Sequence, residues 1–468
     1  MLGTSVAKSA GINLKFRMFH KGNAPLADGF RRNELLSISD ELFESKHGFI
    51  QWAFPTPEPS RQVSNAPVLD LDTAVWLAES IDVSEFLEVM AVRFLEFLAV
   101  HDHWRSSYDH NHLRISRALQ SLRILHSWEL ADWFYGKVKE LAGESFHLMD
   151  AANIHWAHHT SPIHDRIAGA LVGAAIGDAL GAPVEFSPRG TFAPITAYRS
   201  GGRFKLPAGA WTDDTAMSLC LAESLIKNDG FNVADLLDIF CDWAETGSNT
   251  STGIAVGIGQ NTLRVLGDYR RNGYLKALRF GAKNDGNGSL MRLAPVACYA
   301  CPDIDKARVI ASQQSRATHA SHPADQSCQL LAELLCRLIE GQAFDEAFQS
   351  VSHGDHGQSV TSLFNHNYET QPVDDVVASG YVIKTLHAAL WSVINTDDFE
   401  GAVLKAVNLG DDADTVGAVT GQIAGALYGY STIQKHLKQG LVDERKIYVI
   451  SQFLSMKSDN LSVGYKRV

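Results

Sequence analysis

The chain has 468 residues, of which 45% are apolar and 20% charged, so it is long enough for two or three globular domains. Its 41 basic and 53 acidic side chains give a formal charge of -12, which would repel a phosphate backbone and excludes nucleic acid as a general partner. With no run of about 18 uncharged apolar residues and no apolar signal region near the N-terminus, we predict a cytoplasmic protein without a membrane anchor.

The first domain, which we place at residues 1–153, is predicted to be mainly helical. Apolar residues recur at three- and four-residue steps from Val83 to Leu98 and again from Leu113 to Leu125, which is the pattern of amphipathic helices. Three prolines between Phe54 and Pro59 interrupt any helix there. Because no catalytic constellation is present, we predict an accessory domain that binds a protein partner and is dispensable for chemistry on small substrates.

This domain carries a resemblance in four short motifs, which are Ile50–Pro55, Asn65–Leu69, Asn111–Arg117 and Ser121–Arg123. Together they cover about residues 19–135 and resemble the conserved region of the opioid growth factor receptor. The resemblance implies a small helical module and indicates no chemistry. We expect Trp52 and Phe54 to be core residues, as most aromatic side chains are.

A connection between domains is predicted at Ala151–His164, where helical periodicity is lost and Pro162 follows a run of histidines. We favour a solvated linker over a metal-binding histidine tract, because most polar segments between domains are connections. The linker proper is placed at residues 154–164, and the second domain at residues 165–468.

Two glycine ladders organise the second domain. Glycine recurs every four residues from Gly169 to Gly181 and again from Gly417 to Gly429. On a helix this spacing gives a ridge without side chains, which lets another helix approach closely. Asp178 lies inside the first ladder, where an unpaired charge would be costly, so we predict a structural hydrogen-bonding role for it.

Two acidic clusters stand at predicted helix N-termini, and they offer six hard oxygen donors: Thr212, Asp213, Asp214, Asp412, Asp414 and Thr415. Taken singly, Thr212 and Asp412 could be mere N-caps. Taken together, the donors include neither imidazole nor thiolate, which favours magnesium, manganese or calcium over zinc. Two ions about 3.5–4 Å apart would use all six donors. We expect the ligands to line a solvent-facing cleft.

The motifs of this domain resemble those of the ADP-ribosylglycohydrolase family, in the same order and over about 280 residues. The matching segments are Arg166–Glu185, Thr212–Thr215, Gly286–Arg292, Thr318–His319 and Asp412–Thr415. The resemblance implies an all-α fold, a compact orthogonal helical bundle with the N-terminal helical domain added to it. It also implies hydrolysis that removes ADP-ribose from modified proteins.

Carried over by motif, the resemblance implies that the six oxygen donors bind two magnesium ions, with manganese as a substitute. Glu185 would approach the distal ribose. The Gly288-Ser289 turn and His319 would hold the diphosphate, as a glycine turn exposes N–H groups to an anion. Met291 would pack nearby, although a core role fits it equally well.

The implied reaction is attack of water at the anomeric carbon of the distal ribose, most often in this family on ADP-ribosylated arginine. The general base stays open among Glu185, Asp213 and Asp414. The alternative is a module that binds ADP-ribose or a protein with or without turnover. One example is an immunity-type protein whose N-terminal domain blocks an ADP-ribosyltransferase. The expected partners are therefore an ADP-ribosylated protein and such a transferase.

Overall fold

The structure is a computed structural model that describes residues 14–26, 29–60, 63, 66–278, 285–354 and 357–462. Its regular elements in these ranges are helices, and β-pairing there is limited to isolated bridges. The prediction of an all-α chain is confirmed. The chain divides into two compact units, Met1–His164 and Asp165–Val468.

The first unit is built from short helices followed by longer ones, with a 3-10 segment at Gly143–Met149. The helices are α1 (residues 14–20), α2 (Arg32–Leu35), α3 (Asp40–Ser45), α4 (Phe49–Ala53), α5 (Leu71–Ala78), α6 (Ile81–Val100), α7 (His110–Leu125), α8 (Trp128–Ala142) and α9 (Asp150–His159). Phe43 packs on Phe94 and Phe97 at ring-centroid distances of 5.3 and 4.6 Å. Phe54 is fully buried, as expected, whereas Trp52 is only partly buried.

The prediction of an irregular conformation for the linker is wrong, because α9 occupies most of Ala151–His164. Trp156 on this helix is fully buried and donates its indole N–H to the carbonyl of His112 at 3.1 Å. His164 is also buried, and its Nδ1 lies 2.9 Å from Nη1 of Arg123. A buried tryptophan anchors the segment, so it is part of the folded unit rather than a solvated connection.

The described residues of the second unit form the longer helices and three 3-10 turns, Ala182–Val184, Ser362–Asn365 and Val373–Asp375. The helices are α10 (Pro162–Gly181), which begins just before the unit boundary, α11 (Asp213–Asn228), α12 (Val233–Thr246), α13 (Gln260–Asn272), α14 (Ala294–Ala300), α15 (Ile304–Thr318), α16 (His322–Ile339), α17 (Phe344–Ser352), α18 (Gln358–Thr361), α19 (Val382–Ile394), α20 (Phe399–Val407), α21 (Ala413–Tyr428), α22 (Lys435–Gly440) and α23 (Glu444–Ser462). Helix α21 is central, since it packs against α16, α19 and α20.

One helical stretch, within Trp128–Val184, is long and apolar enough by composition to cross a membrane. Of its most apolar window, 94% is buried inside the structure. Core helices of globular proteins have this property, because their apolar surface faces other helices rather than lipid. The stretch is therefore explained by packing.

The two glycine ladders pack directly against each other. Gly169 faces Gly425, Gly173 faces Gly421, and Gly177 faces Gly417, so α10 and α21 run antiparallel with their backbones in contact. A Cβ atom at any of these positions would lie well inside van der Waals distance of the facing carbonyl group. The last contact joins Gly181 to the backbone of Ala413 and Asp414. This packing brings the C-terminal end of α10 to the N-terminus of α21.

Candidate active site

Both acidic clusters begin helices, as predicted. Thr212 stands at the N-cap position of α11, with Asp213 and Asp214 in the first turn. Asp412 stands at the N-cap position of α21, with Asp414 in its first turn. Neither Thr212 nor Asp412 makes a side-chain capping hydrogen bond, so the simple N-cap interpretation is wrong.

Asp178 caps α11 from the neighbouring helix α10. Its carboxylate accepts hydrogen bonds from the backbone N–H groups and the hydroxyls of Thr212 and Thr215, at 2.7 to 3.0 Å. These bonds satisfy N–H groups that a helix start otherwise leaves unpaired. The contacts agree with the structural role expected for Asp178, and they fix the start of α11 against α10.

Five carboxylates from four chain segments converge between α10, α11 and α21. Oxygen atoms of Asp178, Asp214 and Asp414 all lie within 4.8 Å of one another, and so do oxygen atoms of Glu185, Asp412 and Asp414. Asp414 belongs to both groups. Two adjacent carboxylate triads with one shared member are the arrangement in which a carboxylate can bridge two cations.

Two oxygen atoms in these triads are buried without a hydrogen-bond partner in the part of the chain that the structure describes. They are Oε2 of Glu185 and Oδ1 of Asp214. An unpaired buried carboxylate oxygen is costly unless a cation or a proton accompanies it. The donor set is all oxygen, so the residues present fit a hard divalent cation such as magnesium.

Burial determines the electrostatics of the cluster. Burial, reinforced by the negative charge of Asp213, raises the pKa of Glu185 to about 8. Burial and the charge of Asp178 raise the pKa of Asp213 to about 8. The pKa values of Asp214 and Asp414 are raised well above the ordinary value, with burial again the first cause. The expectation that the ligands line a solvent-facing cleft is therefore wrong for these groups, and they need a proton or a cation.

Without metal, raising the pH from about 4 to about 8 is expected to destabilise the protein. Glu185 and Asp213 keep their protons up to about pH 8 when folded but lose them near pH 4 when unfolded. The folded state then binds more protons, so the free energy of unfolding falls as pH rises. Saturating Mg²⁺ should weaken or reverse this dependence of the free energy of unfolding on pH, because metal binding requires deprotonated carboxylates. Thermal melts across this range with EDTA or Mg²⁺ test it; a metal-free melting temperature that rises throughout would contradict it.

Three of the predicted ligands lie beside the triads rather than in them. Thr212 donates its hydroxyl to Asp178 at 2.9 Å and reaches Asp214 at 3.4 Å. The carboxylate of Asp213 packs against Gly257, where any Cβ atom would collide with Oδ1. Thr415 is buried in the first turn of α21, and its N–H donates to Oδ1 of Asp414 at 2.8 Å. All three are adjacent to a triad member.

The turn that contains Gly286–Arg292 is tied to the carboxylates by Asn287. Its amide nitrogen Nδ2 donates to Oδ2 of Asp412 at 2.6 Å and to Oγ1 of Thr385 at 2.8 Å. Its backbone N–H donates to the carbonyl of Gly380 at 3.1 Å. The sequence alone assigns no role to Asn287, because it is one position within the Gly286–Arg292 motif and has no distinguishing neighbours there. Its position marks it as a residue that orients Asp412.

Asn287→Ala is expected to weaken metal binding about 10- to 100-fold, the usual effect of losing a partner that orients a metal ligand. Calorimetric titration with Mg²⁺ or Mn²⁺ measures this directly. Asn272→Ala serves as the control, because Asn272 is an exposed residue at the C-terminal end of α13 and belongs to neither carboxylate triad. Equal metal affinity in Asn287→Ala and the wild type would exclude the positioning role.

The predicted diphosphate residues meet around His319. A Cβ atom on Gly288 would lie 3.1 Å from Cε1 of His319, a tight contact that glycine avoids. Burial, together with the charges of Arg292 and Arg264, lowers the pKa of His319 to about 3. The imidazole is therefore neutral near pH 7 and offers hydrogen bonds without a charge.

The other two predicted substrate residues are held inside the structure. The hydroxyl of Ser289 is buried 2.9 Å from that of Ser315, and its carbonyl accepts from Gln314. The side chain of Met291 is buried, and its carbonyl accepts from Gln422 at 2.5 Å. Ser289 can therefore face a ligand only through its backbone, as the prediction specified, and the core role left open for Met291 agrees with its burial.

Comparison with known proteins places this arrangement in a family. The family model described as ADP-ribosylglycohydrolase matches residues 159–461. The chain belongs to the ADP-ribosylglycohydrolase family. A solved structure described as an ADP-ribosylglycohydrolase-related protein complex has a TM-score of 0.55 at 35% sequence identity, and the match covers 63% of this chain and 99% of that one. The predicted fold type is thereby confirmed.

Two curated relatives are similar over the same region. One is ADP-ribosylarginine hydrolase Tri1 of Serratia proteamaculans, 40% identical over 294 residues, which are 62% of this chain and 79% of that protein. The other is ADP-ribosyl-[dinitrogen reductase] glycohydrolase of Rhodospirillum rubrum, 32% identical over 276 residues, which are 58% of this chain and 88% of that protein. The family match begins at residue 159, and the resemblance of residues 19–135 to the opioid growth factor receptor stays a prediction.

Proposed function

We propose that this ADP-ribosylglycohydrolase removes ADP-ribose from modified arginine side chains of proteins, with two magnesium ions held between α10, α11 and α21. The observation that carries the proposal is the pair of carboxylate triads that share Asp414. Both relatives are named for hydrolysis of ADP-ribosylated targets, and one name specifies arginine. Manganese has the same preference for oxygen ligands and should substitute.

The proposed metal ligands are those predicted from sequence: Thr212, Asp213, Asp214, Asp412, Asp414 and Thr415. The ions, when bound, supply Lewis acidity toward the ribose hydroxyls and a water of lowered pKa. In the metal-free protein Glu185 and Asp213 hold a proton near neutral pH, because the pKa of each is raised to about 8, and a bound cation would favour loss of that proton. The general base is one of Glu185, Asp213 and Asp414.

The diphosphate of ADP-ribose would bind at the Gly288-Ser289 turn beside His319. A neutral imidazole and backbone N–H groups can donate to phosphate oxygens without the desolvation cost of a buried cation. This end of the site would hold the substrate, while the carboxylates act at the distal ribose. With the diphosphate at one end of the site and the distal ribose at the carboxylates, the substrate would bind in one orientation, and the modified side chain would lie beyond Glu185.

The direct test uses the full chain with peptides ADP-ribosylated on arginine or on serine. Release of ADP-ribose is measured with Mg²⁺ and with EDTA. We expect release from the arginine peptide that requires the metal. ADP-ribose that stabilises the protein thermally without release from either peptide would instead support a binding module. The cytoplasmic location and the binding of a transferase by the first unit stay predictions.

A further inference from the structure

Phe186, the residue after Glu185, has an unusual combination of backbone and exposure. Its φ is 63°, a left-handed conformation that is an outlier for a bulky side chain. Its side chain is 54% exposed, so burial of the ring does not account for a phenylalanine here. Residues held in such strained backbone conformations cluster at active sites and at positions that clamp a ligand.

The backbone around Phe186 holds this conformation firmly. The N–H of Phe186 donates to the carbonyl of Asp411 at 2.6 Å, and the N–H of Asp411 donates to the carbonyl of Ser187 at 2.8 Å. Asp411 is itself left-handed, with φ 52°. Since Asp411 immediately precedes Asp412, the backbone of Phe186 is tied to both segments that supply the triad of Glu185, Asp412 and Asp414.

A guanidinium group already lies on this ring. The guanidinium carbon of Arg203 is 4.9 Å from the centroid of Phe186. Glu185 directly precedes Phe186, and its Oε2 is buried without a hydrogen-bond partner among the described residues. An aromatic face beside a carboxylate is a favourable environment for a planar cation, because the ring attracts the charge and stacks on the plane.

We propose that the ring of Phe186 and the carboxylate of Glu185 receive the guanidinium group of the modified arginine, in the place that Arg203 now takes. This inference rests on the proposed function. In the reaction the bond between the ribose anomeric carbon and a guanidinium nitrogen breaks. The hydroxyl of water joins the carbon and its proton goes to that nitrogen, so the leaving group is an arginine guanidinium cation that the ring can hold.

The subsite gives a physical reason for preferring arginine. A serine-linked substrate has an uncharged ether-like oxygen at this position, so it would gain nothing from the ring. Arg203 lies in an exposed segment next to Gly202, and its side chain can leave the ring for water when substrate enters. Arg203 thus occupies one face of the ring in the free protein and competes with the substrate for that face.

The test measures the full chain with Mg²⁺ on an arginine-ADP-ribosylated peptide. Phe186→Leu is expected to raise KM about tenfold, within the range of a cation on an aromatic face, with ADP-ribose affinity by calorimetry unchanged. Phe186→Tyr keeps the ring and should resemble the wild type. Tyr108→Leu removes an exposed aromatic side chain from the first unit and is the matched control.

A second variant tests the site without altering the ring. Arg203→Gln is expected to strengthen competitive inhibition by agmatine, a small guanidinium compound, since the competing side chain is gone. The inference is overturned if Phe186→Leu leaves KM unchanged, if it weakens ADP-ribose binding equally, or if Arg203→Gln leaves agmatine inhibition unaltered. If the wild type releases no ADP-ribose from the arginine peptide, the proposed function itself has failed.

Discussion

Asp414→Asn is expected to abolish hydrolysis and at the same time to raise the melting temperature of the metal-free protein. Asp414 belongs to both carboxylate triads, so its loss should reduce activity by more than the 100-fold typical of residues that only orient ligands. The same carboxyl group is fully buried among Glu185, Asp214 and Asp412. Removing one member of this acidic cluster should stabilise the empty site, because each buried carboxyl group there must either hold a proton or face the negative charge of its neighbours.

The expected increase is about 2 °C, because 1 kcal/mol shifts the melting temperature by about 2–4 °C in domains of 150–250 residues and the second unit, Asp165–Val468, is longer. Scanning calorimetry with EDTA and with Mg²⁺ distinguishes the effects, since the wild type but not the variant should gain stability from the metal. Asp374→Asn is the control, because Asp374 is 93% exposed and should alter neither quantity. A variant with wild-type turnover would exclude Asp414 as a shared ligand.

Gly421→Ala is expected to be among the most destabilising single changes in the second unit. The added methyl group would overlap the carbonyl oxygen of Gly173 on α10. Both partners are helix backbone, so no side chain can rotate away and the helices must separate. Overpacking of this kind costs about 1–3 kcal/mol and sometimes more, and we expect the upper end of that range.

The matched control is Gly136→Ala in α8, where an added Cβ atom meets nothing within 4 Å. This change should stabilise the protein by about 0.4–1 kcal/mol, because alanine is the better helix former and restricts the unfolded chain. Chemical denaturation of both variants measures the difference. If both alanine variants change stability alike, close backbone contact is not the reason for the ladders.

The carboxylate site could be predicted from sequence only in part. The motifs predicted that Asp214, Asp412 and Asp414 lie together, because hard oxygen donors at two helix starts indicate a shared cation. In the structure Asp214 and Asp412 each have a carboxylate oxygen within 4.8 Å of Asp414, and the cation itself stays a prediction. The sequence could not show that Asp178 contributes to one triad. Its position in the first ladder was visible, but the direction in which its side chain points depends on the orientation of α10 about its own axis relative to α11.

The ladders and the linker show the same limit in the fold. Each ladder was recognisable as a ridge for close packing, yet four-residue spacing does not say which helix is the partner. For Ala151–His164, the run of histidines concealed a helix that buries Trp156 against the rest of the first unit. In this segment the burial of one side chain in the tertiary structure had more effect on the conformation than the lack of helical periodicity in the sequence. Phe186 was missed because a positive φ at a bulky residue has no signature in sequence.

The contact between the ladders also determines when the site can first exist. Gly177 and Gly417 are about 240 residues apart in the chain, and closing such a long loop is slow compared with forming the helices themselves. A chain emerging from the ribosome can therefore fold α10 and α11 long before α21 is available. Metal affinity should appear late in refolding, in step with the docking of α21. A metal titration during refolding would thus report completion of the tertiary structure.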